Sequence, residues 1–147
     1  MSKSEIDRAG TASAINRALG LLARSAVECA LLSGSLRGPM GVALADPLAR
    51  AAQDSVRELA RLAQIVTLLG SQPRAEVAAS TIDDPTAEAA IHRLLRSEEE
   101  TLQALVEAIP ADADDALGES VEHVLEHAVM ERSDLIARLR RARSGGT

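Results

Sequence analysis

The chain contains no phenylalanine, tyrosine or tryptophan. Its core must therefore be built from Leu, Ile, Val, Ala and a few Met, and bases cannot stack on side-chain rings. Cysteine is nearly absent too. Cys29 stands alone, which excludes an intrachain disulfide framework and suits a reducing cytoplasm. There is no basic patch with interleaved aromatics, and the formal charge is −6, so nucleic acid is not an expected partner. Met1 to Gly10 is polar and lacks the apolar stretch of a signal peptide. The most apolar run, Ala18 to Leu32, is interrupted by Arg24 and Glu28 and is too short to span a bilayer, so no membrane segment is expected. No Ser-His-Asp or Cys-His set and no phosphate-binding glycine loop is present.

What remains is 147 residues, 46% of them apolar, enough for one domain with a real core. Ala and Leu favour helix, and no long segment alternates with period two, so the class is all-α. Residues 1–10 and 144–147 read as loose tails. A first helix, capped by Thr11 or Ser13, runs to about Ser33. Its apolar face holds Ile15, Ala18, Leu19, Leu22, Ala26, Cys29 and Leu32. Glu28 lies one turn from Arg24 and reads as half of a solvated helix pair.

The second helix is expected to start at Asp46-Pro47, with Asp as N-cap and Pro at the first helical position. Gly70 should close it. Residues 71–84 carry no strong period, and a linker of that length can cross a bundle and join two parallel helices. Asp84-Pro85 or Thr86 opens a third helix, which ends at Ile109-Pro110. A short acidic linker, 111–115, leads to the fourth helix, Ala116 to Arg141, with a cluster of arginines at its C-terminal end where cations suit the helix dipole. These four helices with short, long and short connections predict an antiparallel four-helix bundle with one long crossover between helices 2 and 3, filling a single domain.

One position breaks the third seam of Ile91, Leu95, Leu102, Leu105 and Ile109. Glu98 stands where Leu is expected, and an unpaired carboxylate in an apolar stripe is costly.

Three short motifs then point to a family. Ile15-Asn16-x-x-Leu19 resembles the opening of the first helix of bacterioferritin-like proteins. Leu68-Leu69-Gly70-Ser71-Gln72-Pro73 is similar to the Leu-Gly-Gly-x-Pro closing their second helix, and Arg96-Ser97-Glu98-Glu99 through Ile109 resembles their third. The chain also looks like bacterial ferritin-like bundles of unknown function. The resemblance implies a Glu on the first and third helices and Glu-x-x-His on the second and fourth, aimed at two metals. Carried over, these positions fall on Leu22, on Ser55-Val56-Arg57-Glu58, on Glu98 and on Ala128-Val129-Met130-Glu131. Only Glu98 keeps its type, so a standard di-iron centre is not expected.

Glu58, Glu98 and Glu131 are thus expected at one level of the bundle, where three ionised carboxylates need a cation or a shared proton. An ionic lock is one solution, with Arg132 on Glu98 and Arg57 near Glu131. A reduced metal site is another, in which Glu58, Glu98 and Glu131 bind a divalent ion such as Mn or Fe and His127 enters from the edge. Solvation through helix splay is the third. His123 and His127 share a polar face and read as surface, with adventitious Ni or Zn binding as the alternative, and His92 has no ligand-spaced neighbour.

Three functions compete. The first is a non-catalytic bundle with a structural or protein-interaction role and no cofactor. It would pair as a homodimer through Leu21, Val27 and Leu31 and serve an unknown protein partner. The second is a carboxylate-rich metal-binding or oxidase protein. The third is a small-ligand binder, for which Met40 and Met130 are weak haem-ligand candidates.

Overall fold

The structure, a computed structural model, describes residues 5–84, 86–111 and 114–145. Four helices account for most of them: α1 (Arg8–Ser35), α2 (Gly38–Leu68), α3 (Ala87–Ala108) and α4 (Ala116–Gly145). Each start has a local cause. Asp7 caps α1, its carboxylate accepting from the Gly10 N–H at 3.1 Å. Thr86 caps α3 by accepting from the Ala89 N–H at 3.3 Å, and Asp115 accepts from the Gly118 N–H at 2.8 Å at the head of α4. The predicted Asp84-Pro85 signal lies partly outside the described residues, at Pro85.

Three predicted boundaries move. The first helix begins earlier than expected, because Asp7 caps it ahead of Thr11 and Ser13, and Ile6 is buried in the core. The second helix begins at Gly38, with Pro39 inside its first turn, so Pro47 is an interior proline. Ala43 and Pro47 are both exposed, so the Ala43 carbonyl that loses its partner lies on the water side. At the other end the prediction holds. Gly70 takes φ 85°, its N–H donates to the Thr67 carbonyl, and the Ser71 N–H donates to Val66. That is a Schellman termination. Of the expected C-terminal tail, Ser144 and Gly145 belong to α4.

The packing follows from cross-helix pairs. Arg17, Arg24 and Glu28 meet Glu107, Glu100 and Arg93 in that order, so α1 and α3 are antiparallel. Ser55 and Arg61 meet Arg132 and His127, so α2 and α4 are antiparallel too. With α1 and α2 joined by a tight turn, α2 and α3 must run parallel, and the connection between them must travel the length of the bundle. It does so along α1. The Asn16 side chain donates to the Gln72 carbonyl and accepts from the Arg74 N–H, and Arg93 donates to the Thr81 carbonyl. Gly20 makes room for it: a Cβ there would lie 2.7 Å from the Glu76 carbonyl oxygen.

The same geometry corrects the reading of Glu28. Arg24 bonds Glu100 at 3.0 Å, and Glu28 is buried and bonds Arg93 at 3.4 Å. An apparent pair within one helix is instead two pairs to the neighbour.

The core has two halves. One contains Ile15, Leu19, Leu22, Leu62, Val66, Leu105, Val121 and Leu125. The other contains Cys29, Leu32, Leu48, Ile91, Leu94, Leu95, Ile136 and Leu139. By length and hydropathy α1 passes as a membrane-spanning helix, unlike the shorter run read from the sequence. In the bundle its apolar face is spent on these two core halves, and it also buries Ser25 and Glu28.

Candidate functional site

Between the two core halves lies one polar layer, to which each helix contributes a residue: Ser25, Ser55, Glu98 and Arg132. All four are buried, Glu98 with no exposure at all. Arg132 Nη1 donates to Glu98 Oε2 at 2.5 Å and to Ser25 Oγ at 3.1 Å. The Ser25 hydroxyl donates in turn to Glu98 Oε1 at 2.5 Å, and Arg132 Nη2 donates to Ser55 Oγ at 3.0 Å. Both carboxylate oxygens are therefore satisfied, and the guanidinium joins all four helices. Its Nε is the one member of this layer left buried without a partner.

The first- and fourth-helix members of the layer are not the positions carried over from the resemblance. Leu22 and Ala128 lie one turn away, in the apolar half-core. Ser25 was missed from the sequence because a serine between Leu22 and Cys29 is small enough to pass as a neutral core residue. The available signal was that a hydroxyl sits on the buried stripe at all.

Next to the layer, on the α2–α4 edge, lies a second group. Glu58 is buried. Its Oε2 stands 3.7 Å from Arg61 Nη1 and 3.9 Å from His127 Nδ1, and His127 Nδ1 is 3.6 Å from Glu131 Oε1. Burial, then the hydrogen bond and charge of Glu131, push the Glu58 carboxyl up to about 7, against the opposing pull of Arg61 and Arg132. Glu58 Oε1 has no partner with both carboxylates ionised, and a proton shared with Glu131 would give it one.

The three glutamates expected together are thus divided. Glu98 belongs to Arg132, whereas Glu58 and Glu131 belong with His127. Arg57 pairs with Asp54 one turn away on α2, not with Glu131. His127 faces the glutamates, not His123, and His92 and His123 are exposed. Cys29 is buried beside the layer. Burial first, and the Glu98 charge second, push its thiol up to about 12, so it is no nucleophile at neutral pH. Met40 lines a cleft beside Ala142 and Arg143, and Met130 is exposed on the outer face of α4, so no methionine pair frames a haem pocket among the described residues.

No protein-family model and no curated protein matches this sequence. Solved structures do match, over almost the whole chain. A bacterioferritin-related protein of Bacteroides fragilis, described as a dodecameric thioferritin, superposes with a TM-score of 0.85 at 11% identity, covering 96% of this chain and 88% of the other. A ferritin-like diiron-carboxylate protein of Bacillus anthracis gives 0.82 at 15%, covering 97% and 99%. A conserved hypothetical protein of Mycobacterium tuberculosis gives 0.70 at 16%, covering 94% of both. The chain has the ferritin-like four-helix-bundle fold. At these identities the likeness is one of fold, and the residues decide the chemistry.

They do not fit a dinuclear metal centre in the polar layer. Of its four side chains only Glu98 is a ligand for a hard divalent ion, and both its oxygens are engaged. The guanidinium beside it has no lone pair to donate, and its charge repels a cation.

Proposed function

We propose that this chain is a non-catalytic ferritin-like bundle with a structural or protein-interaction role, its di-metal site replaced by an internal ion pair. The observation that carries the reading is Arg132 Nη1 on Glu98 Oε2 at 2.5 Å, which puts a permanent cation where a metal would need the carboxylate. With that layer closed, function moves to the surface. Its working form is a homodimer, with an unidentified protein as further partner. The outer face of α1 and α2 supports this: Val27, Leu31 and Val56 are exposed there, with Ala26, Ala30 and Ala52 between them. Leu21, the third residue expected on that face, packs partly against the core instead. The dodecameric relative makes self-association a natural use of the fold. A lone, buried free thiol is compatible with a cytoplasmic setting.

The test is metal analysis of tag-free protein together with aerobic Fe(II) addition. The reading predicts no iron oxidation above the buffer rate, and a metal content that Glu98→Ala leaves unchanged. Stoichiometric metal that disappears in Glu98→Ala would overturn it. The rival metal-binding reading keeps one supporting observation, the Glu58–His127–Glu131 group, which lies outside the polar layer.

A further inference from the structure

We infer that Glu58, His127 and Glu131 form a binding site for a single divalent transition-metal ion on the α2–α4 edge of the bundle, separate from the Arg132–Glu98 layer. The inference goes beyond the non-catalytic reading and does not depend on it. His127 and Glu131 are one turn apart on α4, and Glu58 faces them from α2. One ligand atom of each lies within 4.8 Å of the other two. A tetrahedral ion with bonds of about 2.1 Å holds its ligands roughly 3.4 Å apart. The 3.6 Å and 3.9 Å separations around His127 Nδ1 are within about half an ångström of that.

Two further observations bear on the same group. Glu58 is buried, yet its Oε1 has no hydrogen-bond partner, so the site holds an acceptor that needs a proton or a cation. Arg61 Nη1 lies 3.2 Å from His127 Nδ1. A guanidinium only donates, so Nδ1 accepts from it through its single lone pair, the one an ion would use once Arg61 has moved aside. Arg61 itself stands where a cation is wanted. Its side chain is 47% exposed and can swing into water when a doubly charged ion enters. His127 and Glu131 are each nearly half exposed, which leaves the ion a path in.

The donor set selects the class of ion. One imidazole nitrogen with two carboxylates suits Zn, Co, Mn or Fe, whereas Mg and Ca favour oxygen-only shells. The ligands come from two helices only, so the ion clamps α2 to α4 along one edge.

Titration of tag-free protein with Co(II), followed by visible absorption and by displacement with Zn(II), tests this. One equivalent should bind, with bands that Zn(II) abolishes. Glu58→Gln, His127→Gln and Glu131→Gln should each weaken binding at least tenfold, while His123→Gln leaves it unchanged. Thermal melts followed by circular dichroism check that each variant is folded, and Glu58→Gln, which removes a buried ionisable group, should retain the fold. Wild-type affinity in Glu58→Gln would overturn the inference. So would an equal loss in His123→Gln, which would mark an adventitious surface histidine pair, or no binding at millimolar Co(II).

Discussion

Glu58 and Glu98 are both buried glutamates in one bundle, and their partners set them apart. Glu98 has a guanidinium and a hydroxyl, one for each oxygen. Glu58 has a half-exposed arginine at 3.7 Å and a second carboxylate for a neighbour. The Glu58 carboxyl rises to about 7 in the folded protein, against about 4.3 for a free glutamate. Between those values the folded chain holds a proton that the unfolded chain has lost, so stability falls as pH rises through the window and stays reduced above it. Glutamine at this position never ionises. Glu58→Gln should therefore be more stable than wild type at pH 8, by on the order of 1–3 kcal/mol, and close to it near pH 4. Urea unfolding at both pH values in the presence of a chelator measures the difference.

At the scale of elements, the crossover depends on α1 more than on its own sequence. Residues 71–84 have no period and no regular structure, and they are held by the Asn16 amide and by contact with Gly20. Gly20→Ala would gain about 1 kcal/mol of helix propensity in isolation, yet its Cβ would press on a backbone carbonyl that cannot rotate away. The variant should be destabilised by about 1–3 kcal/mol and should be cut faster by protease in the crossover, with α1 and α2 otherwise intact. Limited proteolysis with mass analysis reads this out. The elements were largely legible in the sequence because the signals are local: Leu-rich stripes at helical spacing, and a glycine where α2 ends. The start of α2 was hidden because Asp46-Pro47 imitates an N-cap while Gly38-Pro39, the true start, looks like a loop. Glu98 was legible as a misplaced charge, and Arg132 as its partner. Ser25 and the separation of Glu58 from Glu98 were not, because both depend on how four helices rotate against one another.

At the scale of the whole molecule, the polar layer divides the core and ties its four helices at one height, while the outer face of α1 and α2 keeps exposed valines and a leucine. The two features have different tests. Val27→Glu places a charge in the middle of that face. It should convert a light-scattering mass of twice the 15.4 kDa chain into the single-chain value, without lowering the melting temperature measured at low concentration. The layer is tested by taking its two charges away, separately and together. Arg132 borders the cleft between α2 and α4, so a stranded guanidinium can reach toward water, whereas a stranded Glu98 lies fully inside. Arg132→Leu should accordingly cost about 3–5 kcal/mol, and Glu98→Leu less. The most direct measurement is the unfolding free energy of wild type, Arg132→Leu, Glu98→Leu and the double variant at one pH. An ion pair that fills the layer predicts that the double variant recovers most of what Arg132→Leu loses. Losses that simply add, with the double variant the least stable of the four, would contradict it.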